Sequence, residues 1–316
     1  MTIQSQYTPP QRATHSVPSS FMITVTPFGD DGRLDKNLLR VHLRRMRDAG
    51  VGVYLIGSGS GEGYSLSKDE RSAVMTIGRE ELQGHVPVRA MGCEHHNAKN
   101  MIDYIREVEA HRLDAVHVYS LNMGHGAMPT PGEMEAYYND VIGSCSIPVV
   151  LSTHHVAGYM LPVDFVEKLL DRFEQIVGIV SATSNMTYQI NLTQRVADRI
   201  EVHCGGPAHG PNILSLGGSG FLANESNLYP EIASGIITAW RNSDTAGVRE
   251  NYSRLMALFE INQRYGGSSM RAMKPLMREF GFDGGVLRAP RQPISPEQLA
   301  LAADEIRALK IAGAES

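Results

Sequence analysis

Between Phe21 and Arg241 the sequence keeps one rhythm: a short run of apolar and β-branched residues, then a longer stretch with helical spacing, about eight times over. Phe21–Thr26 closes on Pro27 and leads into Asp35–Ala49, where Leu39, Leu43 and Met46 fall on one helix face. Gly50 then ends that helix, since glycine accepts the left-handed backbone of a C-cap, and Val51–Ile56 reads as a buried strand. The same pair recurs as Pro87–Met91 with Ala98–His111, Ala115–Tyr119 with Gly132–Gly143, and Pro148–Leu151 with Pro162–Arg172. It continues as Ile176–Val180 with Met186–Ala197, Glu201–Cys204 with Pro211–Leu216, and Gly220–Ala223 with Tyr229–Arg241. Continuous apolar runs flanked by helices predict parallel strands covered on both faces. About eight such units predict a closed (β/α)8 TIM barrel, with an open doubly wound sheet as the alternative.

Beyond Arg241 helical patterns follow with no strand between them. Val248, Tyr252, Leu255 and Phe259 mark Asp244–Arg264, and Leu299, Ala302, Ile306 and Leu309 mark Pro296–Lys310. No linker rich in Gly, Ser or charge intervenes. The expected organisation is one domain: a tail over 1–17, the barrel over 18–241, and a helical C-terminal extension over 242–316 packed on it.

With 42% hydrophobic and 20% charged residues the chain has the composition of a soluble globular protein. Its net charge of -5 argues against nucleic-acid or anionic-membrane partners. Cys93, Cys145 and Cys204 are too few and too scattered for a disulfide framework or a zinc ribbon. No run approaches the roughly 20 apolar residues of a membrane span. Met1–Ser16 is polar and lacks the apolar segment of a signal peptide. A cytoplasmic protein is therefore expected.

One stretch carries a recognisable motif. Gly57-Ser58-Gly59-Ser60-Gly61-Glu62, followed by Leu66-Ser67 and Glu70-Arg71, resembles the dihydrodipicolinate synthase / N-acetylneuraminate lyase family. That family has a Gly-Thr-Thr-Gly-Glu-like loop after its second strand. Further landmarks agree in order: Thr24-Val25-Thr26-Pro27-Phe28, Gly178-Ile179, Leu216-Gly217-Gly218-Ser219-Gly220 with Asn227 and Pro230, Met273-Lys274, and Arg288 with Pro290 and Pro293. The resemblance spans roughly residues 18 to 310. It implies a (β/α)8 barrel with a helical extension, a homotetramer, and a small-molecule carboxylate or carbonyl substrate.

The resemblance also implies a mechanism from which this sequence departs. Family members are similar in using a lysine at the end of the sixth strand to form a Schiff base with a 2-oxo acid, and a tyrosine at the end of the fifth to shuttle protons. Here Val180 stands at the lysine position and Ser152 at the tyrosine position. The tyrosine pair expected after the fourth strand is replaced by Tyr119-Ser120-Leu121-Asn122, where Tyr119 covers part of that role. Lys36, Lys68, Lys99, Lys168, Lys274 and Lys310 are the chain's lysines, and all are expected on helices or helix starts, away from strand ends. Valine has no nucleophile, so an imine at position 180 is impossible.

Barrel active sites lie at the C-terminal ends of the strands. Those ends hold Ser58 and Ser60, then Cys93, Glu94, His95 and His96, then His117 and Tyr119, Ser152 to His155, Ser181, and His203 with Cys204. Three readings of the histidines stand. They could hold a divalent metal that polarises a carbonyl, act as metal-free acids and bases, or cap helices and bond to backbone. No organic cofactor is indicated. For the 58–61 loop, an anion pocket built from backbone amides and hydroxyls stands beside a simple glycine-rich turn. The leading expectation is a lyase of aldolase or hydro-lyase type without a lysine Schiff base. His154, His203, Glu94 and Ser152 are its catalytic candidates; Ser58, Ser60, Gly61, Ser181 and Tyr119 are its binding candidates. The alternative is a non-catalytic barrel that binds a small molecule. Glu62, Lys274 and Arg288 are read as structural, as is most buried cysteine.

Overall fold

Most helices of this chain begin at a residue whose side chain takes a backbone N–H that the first turn leaves unsatisfied. Asp35 does this for Leu38, Asn97 for Asn100 and Asn185 for Tyr188, while Ser67, Thr130 and Ser295 form reciprocal capping boxes. Gly50 ends its helix at φ 73°, as the sequence predicts. The computed structural model describes residues 17–155, 159–267 and 270–311. The expected tail over 1–17 therefore lies, except for Val17, outside the described residues.

The strands are β1 (Ser19–Ile23), β2 (Gly52–Leu55), β3 (Val88–Ala90), β4 (Ala115–Val118), β5 (Val149–His154), β6 (Ile176–Ala182), β7 (Glu201–Gly205) and β8 (Gly220–Leu222). Between and after them run α1 (Lys36–Ala49), α2 (Lys68–Leu82), α3 (Ala98–His111), α4 (Pro131–Gly143), α5 (Val163–Arg172), α6 (Met186–Val196), α7 (Gly210–Ser215) and α8 (Pro230–Arg241). The extension adds α9 (Thr245–Gly266), α10 (Met270–Glu279) and α11 (Pro296–Ala308). The parallel strands close in the order β1 to β8, so the fold is a (β/α)8 TIM barrel followed by C-terminal helices. No helix among the described residues is long and apolar enough to cross a membrane.

Two compact units can be described. The first comprises residues 87–222, with β3 to β8 and α3 to α7. All seven residues of β6 are buried, as expected of a strand covered on both faces. The second joins 19–86 to 223–311. In it, α1 buries the Leu39, Leu43 and Met46 stripe that the spacing predicts, with His42 beside it. In α9 the buried row is Leu255, Leu258, Ile261 and Asn262, so Val248, Tyr252 and Phe259 are only half-buried. Lys274 is expected on a helix, but the bounds of α10 are not given by the sequence pattern, which Pro275 interrupts.

The second unit is stitched by Asn227, which is fully buried at the end of a short turn, Asn224–Asn227, after β8. Its Oδ1 accepts from the Val25 amide at 2.9 Å and from His42 Nε2 at 3.0 Å. Its Nδ2 donates to the carbonyls of Ile23 at 3.0 Å and Asn224 at 2.8 Å. One amide thus satisfies four buried groups from three segments. Removing it leaves them unpaired, each at a cost of about 1–3 kcal/mol. Asn227→Ala is expected to destabilise the protein by about 3 kcal/mol or more, read as a lowered urea midpoint. A midpoint within error of wild type would contradict this account.

Candidate active site

Two strands that share no edge, β3 and β7, nevertheless touch: Arg89 Nη2 donates to Glu201 Oε2 at 2.7 Å. That ion pair has to cross the barrel interior, so it fixes which side of each strand faces inward. Side-chain alternation and the parallel register carry the assignment to the neighbouring strands. His117, Val150, Gly178 and Glu201 form one inward layer. Ser152, Val180, His203 and Gly220 form the next, nearer the C-terminal ends. His154 and Ala182 form the last, beside Gly205, where an added Cβ would lie 2.6 Å from that of Ala182.

The sequence leaves the orientation of His117 open, and the structure turns it inward. Ser152, Thr153, His154 and Ser181 lie within strands rather than after them, because β5 and β6 run further than the apolar pattern indicates. That extra length decides the direction of Ser181. It alternates with Val180 and faces the helices, where its hydroxyl has no partner among the described residues. Thr153 faces the same way and bonds Tyr188 Oη at 3.1 Å and the Leu161 amide at 2.9 Å.

Charge is unevenly distributed through these layers. Burial alone would raise the Glu201 carboxyl, but the Arg89 charge beside it, with its hydrogen bond, holds it below the usual range. The imidazoles are pushed the other way. Burial lowers His203 to about 4, with Glu201 opposing, and lowers His117 to about 3, with His154 and Arg89 adding to the effect. His154 is half-buried and is also lowered, by burial and then by His155, while Glu94 pulls it back. At neutral pH all three rings are therefore neutral, each with one N–H donor and one acceptor.

The remaining histidines of the strand ends are engaged locally. His155 is exposed, stacks on His154 at 5.4 Å between centroids, and bonds the Ala182 carbonyl through Nδ1 at 2.7 Å. His96 Nδ1 bonds the Asn122 carbonyl at 2.9 Å, and His95 packs against Tyr104 at 5.7 Å. Tyr119 packs its ring 4.7 Å from that of His117, and its carbonyl accepts from Tyr137. Burial raises Cys204 to about 12, so it is a thiol at neutral pH. Among the described residues, no three His, Cys, Asp or Glu side chains converge as a metal ion would require.

In the second unit the residues Gly57 to Gly61 make a tight turn. A Cβ on Gly61 would lie 2.8 Å from the Gly57 backbone, and one on Gly63 would lie 2.1 Å from the Ile56 carbonyl. Only glycine fits at either place. The turn's internal bonds use the amides of Glu62 and Gly63. The amides of Ser58, Gly59, Ser60 and Gly61 make no hydrogen bond among the described residues, so they remain available to an anion. Ser60 is buried and Ser58 half-buried.

The turn is held from behind by Lys274. Its ammonium donates to Glu62 Oε2 at 2.6 Å, to the Thr26 carbonyl at 2.8 Å and to the Val286 carbonyl at 2.8 Å. Thr26 Oγ1 in turn donates to the Gly61 carbonyl at 2.6 Å. The sequence places every lysine away from strand ends. Lys274 is on helix α10 as expected, and its long side chain reaches the segment that follows β1. Burial lowers it to about 8, with Glu62 opposing. Three acceptors occupy its three N–H groups, so it is a structural cation and no free amine.

The sequence pattern of the dihydrodipicolinate synthetase family matches residues 17–309. The chain belongs to that family. Within it, the chain is 27% identical over 236 residues to a protein of Escherichia coli K12 named probable 2-dehydro-3-deoxy-D-pentonate aldolase YjhH, covering 73% of this chain and 77% of that one. It is 25% identical over 288 residues to the probable 5-dehydro-4-deoxyglucarate dehydratase of Oceanobacillus iheyensis, covering 86% and 88% respectively. Among solved structures, YagE from E. coli K12, a prophage protein of this family in complex with pyruvate, matches with a TM-score of 0.84 and 24% identity. It covers 93% of this chain and 99% of its own. At that identity the likeness is one of fold. The family thus includes an aldolase and a dehydratase, both lyases.

Sequence reasoning did not single out Arg89 among the site's charges. A lone arginine in a strand of three residues gives no periodic signal, and only the long-range pairing with Glu201 reveals its position. The buried imidazoles have a measurable consequence. Unfolded, each titrates near 6.5; folded, His42 and His117 titrate at about 3 and His203 at about 4. Between those values the unfolded chain binds more protons, so stability falls as pH drops from about 6.5 towards 4. Urea midpoints across pH 4–7 should show this slope, and His203→Gln should flatten it by about one proton. An unchanged slope in the variant would mean that His203 is not buried and neutral.

Proposed function

We propose that this member of the dihydrodipicolinate synthetase family is a lyase that works without a lysine imine. It acts on a small 2-oxo acid or related carboxylate, making or breaking a C–C or C–O bond beside the carbonyl. The observation that carries the reading is the inward layer of Ser152, Val180 and His203, in register across β5, β6 and β7. Val180 offers no nucleophile there, while the adjacent strand offers an imidazole. Lys274, the buried lysine, is fully bonded elsewhere.

The chemistry then falls to neutral groups. His154, neutral at pH 7, can take a proton from the carbon beside the carbonyl. The imidazolium so formed is favoured by Glu94, whose charge raises the affinity of His154 for a proton. Charge builds on the carbonyl oxygen as that proton leaves. The N–H of neutral His203 and the hydroxyl of Ser152 are the donors assigned to it, doing as hydrogen bonds what an imine would do as an electron sink. Tyr119 is assigned to the substrate's side; within the other unit the amides of Ser58, Ser60 and Gly61 are proposed as an anion site of their own. Ser181 faces the helices and is left out of this assignment.

The test needs no knowledge of the natural substrate. In D2O the wild type should exchange the C3 protons of pyruvate or a 3-deoxy-2-oxo sugar acid, followed by NMR. His154→Ala and His203→Gln should each lose about 100-fold or more of that rate. Borohydride added with the same acid should leave the intact mass unchanged. A reduced adduct on any lysine, or exchange persisting in both variants, would overturn the reading.

A further inference from the structure

Within the second unit, a cavity of about 640 Å³ opens between α10, the segment that follows it, and α11. That volume lies in the range of small-molecule sites. Pro275, Val286, Leu287, Pro293, Ile294 and Leu299 give it an apolar wall. Its charged residues are few, and most are already committed. Lys274 is bonded to three oxygens, Arg278 pairs with Asp283 at 3.4 Å, and Glu279 pairs with Arg307 at 2.5 Å.

Arg291 is different. Among the described residues its guanidinium hydrogen-bonds only the Gly59 carbonyl, at 3.3 Å, and pairs with Glu62 Oε1 at a long 4.0 Å. It also lies over the Tyr64 ring at 5.6 Å. The side chain is about a quarter exposed. Lined by apolar carbon and holding one under-used cation, the cavity is complementary to a molecule with an apolar body and a single anionic end. Burying that body removes apolar surface from water, and a planar guanidinium matches a carboxylate in shape as well as in charge.

We propose that this cavity is a second binding site, for a small carboxylate with an apolar body, with Arg291 as its anion-binding residue. The site uses none of the residues assigned to the proposed reaction, although Arg291 touches the 57–61 turn through the Gly59 carbonyl. The probes are octanoate, octan-1-ol and octylammonium, each titrated by calorimetry into the full chain at pH 7. Octanoate should bind saturably at one site, about tenfold more tightly than the alcohol, the worth of one charge-assisted hydrogen bond. Octylammonium should bind more weakly than either. Arg291→Ala should bring octanoate down to the affinity of the alcohol, and Arg291→Lys should restore part of the difference. Leu299→Trp, which fills the cavity from the α11 surface, should weaken both acid and alcohol. Saturating pyruvate should leave octanoate binding unchanged, so the two sites fail or stand separately. Absence of saturable octanoate binding, equal binding of octanoate and octylammonium, an unaffected Arg291→Ala, or displacement by pyruvate would each overturn the proposal.

Discussion

The ion pair between Arg89 and Glu201 decides what the rest of the barrel interior can be. A closed parallel sheet gives its inside to alternate residues, and a guanidinium in that confined space cannot stand without a counter-charge. Once the pair is fixed, the neighbouring imidazoles are placed beside a permanent cation in surroundings that solvate charge poorly. Burial above all holds them neutral, and a neutral ring can accept a proton, as proposed for His154, or donate a hydrogen bond, as proposed for His203. For both His154 and His203 burial is the largest influence; the pair in the layers beneath acts on His203 in opposite senses, Glu201 raising it and Arg89 lowering it. Neither residue of that pair is assigned a place in the reaction.

The turn after β2 shows the same economy in the other unit. Its glycines are required because a side chain at Gly61 or Gly63 would collide with the backbone, and four of its amides make no hydrogen bond among the described residues. A turn this tight needs support from outside. Lys274 supplies it from α10 by bonding Glu62 and the Thr26 carbonyl together, while Thr26 reaches on to Gly61. Arg288 adds a further strut through Glu70 and the Ser65 carbonyl. The C-terminal helices are therefore part of the framework of this turn.

Much of the fold was legible in the sequence because it is written in local signals. Helix α3 was bounded correctly, since Asn97 caps one end and the apolar stripe runs out at the other. The C-cap at Gly50 follows from glycine's backbone freedom alone. Strand ends were less legible: apolar composition stops at Val180, yet the sheet continues to Ala182 because pairing with β5 and β7 continues. That difference of two residues is what turned Ser181 to the helix side. A helix at Lys274 is expected, but the extent of α10 is not legible because a proline inside it breaks the local pattern. Side-chain partners more than 100 residues apart, such as Arg89 with Glu201 or Lys274 with Glu62, leave no trace in spacing. They had to be seen in three dimensions.

The second unit has a property that bears on how the protein comes into being. Its halves, 19–86 and 223–311, are separated by the 136 residues of 87–222. During synthesis the early half, with His42 and the amide of Val25, must wait for Asn227 while the intervening segment is made. At roughly 5–20 residues per second that is a delay on the order of ten seconds. The intervening unit, by contrast, is continuous and can begin to consolidate as soon as it emerges. Helix α1, the first helix of the described residues, packs against α2 as soon as both are made, but His42 within it gains its Asn227 partner only after this delay.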